Sequence, residues 1–442
     1  MAYFWQIHGH DGEGRNWFDQ ALTLEAQSPS RKYLYAWAAA VNGHFTLSWY
    51  MPRKETFKER MEEALKIFRQ FGDAFRTGHT LYYLAIFPFD ADDFETAIST
   101  YQAGLDVYQS SNNPWGVGEC LHYIAHVAEE RGNFDGSHAL YNQSGELLKP
   151  IGDRWSLFHP VGDTAVIALN RGELDTARMI LEESIQAFEE LKNPEWTSTS
   201  LNRLTEVFCE QGKYEHARKI NQRNLLVQRE MNNLGQLGWT TELKGKIELA
   251  EGNLSLARQL YKEALAIAEK RNNQYSIGFI KVALGLIDCH EGNYRRGKEA
   301  IEIGIENVQK NNAHHATPLL VYRSHALWLE KDLPGAAESY RDTIKELQGN
   351  YFFIRIPECL EGLGKIAVLQ HDLECAARLF GAAEAMREKM GTLIPPVQRG
   401  EYDAHIQTLH ERMGTAFETT RSHGRAMTME QAIEYALEVA NQ

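Results

Sequence analysis

The sequence predicts an all-α fold: a right-handed superhelical solenoid of about nine or ten helical hairpins, closed by a C-terminal helical cap. Three observations carry this. A short turn motif recurs with a 40-residue period, small residues stand at fixed distances on either side of it, and apolar residues follow it at helical spacing.

The turn is clearest at Gly252-Asn253-Leu254. Steps of 40 residues backwards reach Gly212-Lys213-Tyr214, Gly172-Glu173-Leu174, Gly132-Asn133-Phe134 and Asp92-Asp93-Phe94. One step forwards reaches Gly292-Asn293-Tyr294, and Lys331-Asp332-Leu333 and His371-Asp372-Leu373 follow at intervals of 39 and 40. A degenerate turn is read at Pro52, and Gly9-His10 opens a further unit. Glycine suits the left-handed backbone that ends a helix, so each motif separates a helix A from a helix B.

Seven residues before the turn stand Ala85, Ala125, Ala165, Gly245, Gly285 and Gly364; five after it stand Ala97, Ala177, Ala217 and Ala257. Small residues there let the two helices of one hairpin approach closely. Helix B then shows Leu254, Ala257, Leu260, Tyr261, Ala264, Leu265 and Ala268 on one face. Asn113-Pro114, Asn193-Pro194 and Thr317-Pro318 read as N-caps followed by proline at the first helical position. In the tail, Thr428-x-x-Gln431 reads as a capping box that opens a last helix with Ile433, Ala436 and Leu437 on one face. The expected division is a repeat array over 1–385 and a cap over 386–442.

The charge balance excludes other classes. Lys plus Arg is 46 against 60 for Asp plus Glu, a formal net charge of -14. An acidic surface argues against direct nucleic-acid binding and against anionic membranes. No apolar run is long enough to span a bilayer, and the amino terminus does not read as a signal peptide. Five cysteines without C-x-x-C pairing suit a reducing compartment, so a cytoplasmic protein is expected.

The order Gly245, Gly252, Leu254, Ala257, Tyr261, Ala264, Leu265 resembles the tetratricopeptide repeat, with 40 residues per unit in place of the usual 34 or so. A second resemblance rests on the run 376–387, on Gly391-Thr392-Leu393-Ile394-Pro395-Pro396, and on Gly424-Arg425-Ala426-Met427-Thr428. These segments are similar to the carboxy-terminal end of bacterial signalling ATPases and of LuxR-type, maltose-regulator-like transcription regulators. The resemblance implies a sensor region, an attached or associated nucleotide-binding switch domain, and either a fragment of a longer regulator or a stand-alone relative. A stand-alone adaptor or a self-association module is the alternative reading.

In repeats of this kind helix A lines the concave face, at positions 13, 10 and 6 residues before each turn. The expected binding residues are Tyr82, His122, His126, His159 and Asn202, with Glu206, Trp239, Glu242, Lys246 and Phe279 further along. They would receive a protein, a peptide or a small inducer. Glu119, His122 and His126 share one helix face at ligand-like spacing, with His159 in the next repeat, but the expectation is a polar groove without metal or cofactor. No catalytic constellation is present. Gly362-Leu363-Gly364-Lys365 lacks phosphate-loop spacing, and His290-Glu291 and His410-Glu411 lack the second histidine of a zinc peptidase, so no enzyme is expected.

Overall fold

The computed structural model describes residues 2–8, 10–23, 30–48, 55–231 and 233–438. Every regular element among them is a helix, and no strand occurs. The turn expected at Pro52, and Gly9, lie outside the described residues. Two compact bodies are present: Met1–Thr164 with Glu182–Thr197, and Ala165–Leu181 with Ser198–Gln442.

Each body is built from the expected antiparallel pairs. The first holds Ala74–Leu84 with Phe94–Ser110, and Pro114–Glu130 with Phe134–Leu148. The second holds Leu234–Ala250 with Leu254–Lys270, Gln274–His290 with Tyr294–Asn311, and Ile356–Leu369 with Leu373–Met390. The turns close as the sequence requires. Gly252 has φ 85, and the amide of Asn253 returns to the carbonyl of Glu248 at 2.8 Å. Asp92, Lys331 and His371 take the same left-handed conformation without glycine.

Helix starts follow their caps. The Asn113 side chain accepts from the Gly116 amide at 3.0 Å, and Asn193 accepts from the Trp196 amide at 3.0 Å. Thr317-Pro318 departs from the expectation. It forms a short 3-10 turn, and the capping residue is Asn312, whose side-chain Oδ1 accepts from the amides of His314 and His315.

Close approach is what the small residues provide. Ala97, Ala177, Ala217 and Ala257 are fully buried. Between Gln274–His290 and Tyr294–Asn311 the contact is backbone on backbone: a Cβ built on Gly285 would stand 2.6 Å from the Gly297 carbonyl oxygen, and one on Gly278 2.7 Å from that of Gly304. Large apolar side chains fill the remaining space. Tyr101, Tyr108, Tyr141 and Phe68 are fully buried in the first body, and Trp328 and Phe380 in the second. Each contributes roughly 1.5–3 kcal/mol by burial.

The tail joins the second body's core through Leu409, Phe417, Ala432, Ile433 and Ala436. The expected capping box forms: the Thr428 amide donates to Gln431 Oε1 at 2.9 Å, and the Gln431 amide donates to Thr428 Oγ1 at 3.3 Å. Residue 385 lies inside Leu373–Met390, and the helix Ala416–Arg425 crosses it through Gly424 and Gly381, each facing the other helix's carbonyls.

Candidate functional site

In the first body, helix A residues meet around Ser156. Its hydroxyl donates to Asp153 Oδ2 at 2.9 Å and accepts from Trp115 Nε1 at 2.8 Å. That commits its one proton, so the Tyr3 hydroxyl, 2.9 Å away, is the donor of the third bond. Tyr3 belongs to the helix Ala2–Ile7, whose Tyr3 and Ile7 pack against the cluster of Trp155, Phe158 and Phe188. Its ring stands edge-on to Trp115 at 5.7 Å. Asn193 Nδ2 donates to the carbonyls of Gln6 (3.2 Å) and Ile7 (3.0 Å), and His8 Nδ1 lies 3.1 Å from the Leu191 carbonyl. Tyr82 is buried nearby against Tyr123 and His79. Burial, reinforced by the Asp153 charge, pushes the carboxyl of Glu119 up to about 8.

One turn along, His122 and His126 converge on Asp163. His122 Nε2 is 2.9 Å and His126 Nε2 3.2 Å from the same oxygen, Oδ2. Burial holds His122 down at about 4, with Asp163 opposing. Burial also acts on His126, but there Asp163 prevails and raises it. His159 stands 4.2 Å from Trp196 and 4.7 Å from Trp155, edge-on to both, and burial depresses it to about 3.

In the second body Asn202 departs from the expected role. It is fully buried, its oxygen accepts from Asn224 Nδ2 (2.8 Å) and Thr240 Oγ1 (2.9 Å), and its amide donates to Gln236 at 3.2 Å. Gln228 extends the network to Ser198 at 3.0 Å. Asn202 therefore holds helices together and presents no groove surface.

Glu206, Trp239, Glu242 and Lys246 are half-buried together. Burial and the Glu206 charge push Glu242 up to about 8, and burial also raises Glu206, with Lys246 opposing. Lys246 Nζ is itself held by Glu210 Oε1 at 2.9 Å. Glu210 also accepts from Arg355 at 2.7 Å; against the cost of burial, Arg355 and Lys246 bring it down to about 2. Phe279 meets Tyr275 at 4.9 Å between ring centres, tilted by 47°, and packs on its own hairpin's core.

The residues that sequence reasoning missed are Trp115, Ser156, Asp163, Asn193, Glu210 and Arg355. Asp163 lies nine residues before its turn, between the expected inward positions, so a wider inward stripe finds it. Arg355 sits in a non-periodic linker and gives no repeat signal.

Residues 164–225 match the family model described as tetratricopeptide repeat. No curated protein matches the sequence. Among solved structures, aspartyl phosphate phosphatase F from Bacillus subtilis superposes with a TM-score of 0.53 at 16% identity, covering 79% of this chain and 93% of that one. A Rap protein complexed with competence and sporulation factor gives 0.40 at 15% identity, over 88% of this chain and 95% of that one. A signal transduction ATPase with a tetratricopeptide-repeat sensor from Pyrococcus horikoshii gives 0.43 at 14% identity, over 96% of this chain and 65% of that one. At these identities the likeness is one of fold: the chain is a helical-repeat protein whose residues 164–225 carry the tetratricopeptide signature.

Proposed function

We propose that the chain is a non-catalytic sensor and scaffold of a bacterial signal-transduction or transcription regulator, and that it binds a protein or peptide segment on its helix A face. The single observation that carries this reading is the helix Ala2–Ile7 seated on that face in the first body. Aromatic contact from Trp115 and two bonds from Asn193 to main-chain carbonyls hold it, and the carbonyl bonds are independent of side-chain identity. In the second body the same face presents Glu206, Trp239 and Glu242. Lys246, the cation acting on Glu242, is engaged by Glu210. A partner that brings a Lys or Arg side chain to Glu206 and Glu242 lets both carboxyls ionise, with release of the proton that burial holds on Glu242. The resemblance of the tail to signalling ATPases and maltose-type regulators supports a nucleotide-binding switch domain, attached or associated, as the element controlled. The five free cysteines support a reducing, cytoplasmic setting, and the acidic charge balance supports a protein that binds neither nucleic acid nor membrane.

The test is selection of binders from a random peptide library on the intact chain, followed by calorimetry. Selected peptides are expected to carry a basic residue. Glu242→Gln should weaken them by about 1–3 kcal/mol, the cost of an unpaired charged hydrogen bond. Glu263→Gln, on the exposed face of Leu254–Lys270, should leave them unchanged. Peptides indifferent to Glu242→Gln and Glu206→Gln together move binding off this face.

A further inference from the structure

We infer that His122, His126 and Asp163 form a site for a divalent transition-metal ion of the zinc type. His122 and His126 are one turn apart on Pro114–Glu130, so both imidazoles leave the same helix face. Asp163 reaches them from Arg154–Arg171, and one ligand atom from each of the three residues lies within 4.8 Å of the other two. The spacing suits the ion. Bonds of about 2.0–2.1 Å to nitrogen and oxygen in a tetrahedron separate neighbouring ligand atoms by roughly 3.4 Å. The two imidazole nitrogens already stand 2.9 and 3.2 Å from Asp163 Oδ2, so a shift of a few tenths of an ångström opens the cage.

Exposure is graded as an open site requires. The His122 side chain is 4% exposed and that of Asp163 15%, whereas His126 is 33% exposed and marks the solvent side. Three protein ligands and one water complete four-coordination. Two imidazole nitrogens with a carboxylate favour zinc, cobalt or nickel over magnesium or calcium, which take oxygen ligands. Tyr141 packs edge-on against His126 at 5.4 Å and donates to Glu129 at 2.8 Å, and His159 lies 6.4 Å from His122 between ring centres. Glu119, on the same helix face by sequence, is not among the converging ligands.

The experiment is titration of the intact, chelator-treated chain with Co2+, followed by visible absorption, with Zn2+ as competitor and calorimetry for stoichiometry. One ion per chain is expected, with the intense absorption of a tetrahedral cobalt site and full displacement by Zn2+. Asp163→Asn and His126→Gln should each weaken binding by more than the roughly 10–100-fold that loss of an outer-shell partner causes. His314→Gln should leave it unchanged. His126→Gln changes the most exposed of the three ligands, so it decides the matter if Asp163→Asn fails to fold by circular dichroism. No saturable one-to-one Co2+ binding, or binding that survives both substitutions, overturns the assignment.

Discussion

Gly285→Ala probes the hairpin crossing on which the whole architecture depends. In isolation the change favours the helix by about 1 kcal/mol, because alanine loses less backbone entropy than glycine. The new Cβ, however, would stand 2.6 Å from the Gly297 carbonyl oxygen, 2.8 Å from Ile301 Cγ1 and 3.1 Å from the Ile301 amide nitrogen. Two of these neighbours are backbone, so a side-chain rotation cannot relieve the clash. The helices must separate, which breaks the matching contact of Gly278 with Gly304 two turns away. Overpacking of this kind costs about 1–3 kcal/mol and more where backbone moves. The expected result is a net loss of about 2 kcal/mol. Gly349→Ala is the control, because it ends Leu333–Gly349 with nothing within 4 Å, and it should gain about 0.4–1 kcal/mol. Repeat arrays unfold in parts, so the assay is hydrogen exchange of the peptides covering 274–311. Protection there should fall in Gly285→Ala and hold in Gly349→Ala. Equal or higher protection in Gly285→Ala would refute the backbone-on-backbone crossing.

Further expectations concern charge and capping. Glu119 titrates near 8 in the fold against 4.5 for the free side chain, so the folded state binds the extra proton between those values. Its contribution to stability is therefore full below about 4.5 and is lost as pH rises towards 8, by up to about 1.4 kcal/mol per pH unit. Glu119→Gln should flatten that part of the thermal-stability profile; an unchanged slope contradicts the burial of this carboxyl. His159 acts in the opposite sense: with a folded value near 3 it destabilises as pH falls below 6.5, and His159→Phe should lessen the acid loss of melting temperature. Thr428→Ala removes the capping box and should cost about 0.5–2 kcal/mol, seen as faster exchange confined to Met429–Glu438.

Much of this fold is legible because its signals are local. A left-handed residue is needed at every turn, and Gly132, Gly172, Gly212 and Gly252 announce it at constant spacing. The caps at Asn113, Asn193 and Thr428 are readable for the same reason, since the bond each makes spans three residues. The site is less legible because its partners are distant in sequence. Asn202 occupies an inward phase, yet Asn224 and Gln228 on the following helix turn that position into polar packing. Asp163 meets His122 across 41 residues, and Asn193 meets Gln6 across 187. No periodic rule announces such pairs, because they depend on how successive hairpins rotate against one another within each body.

The central claim is that recognition takes place on helix A. Hydrogen exchange of the intact chain, with and without a library-selected peptide at saturation, tests it most directly. Slower exchange is expected in Pro194–Glu210 and Leu234–Ala250, the helices that carry Glu206, Trp239 and Glu242. Leu254–Lys270, which follows on the helix B side, should be unaffected. Protection confined to Leu254–Lys270 and the other B helices, with none on the A helices, would contradict the account.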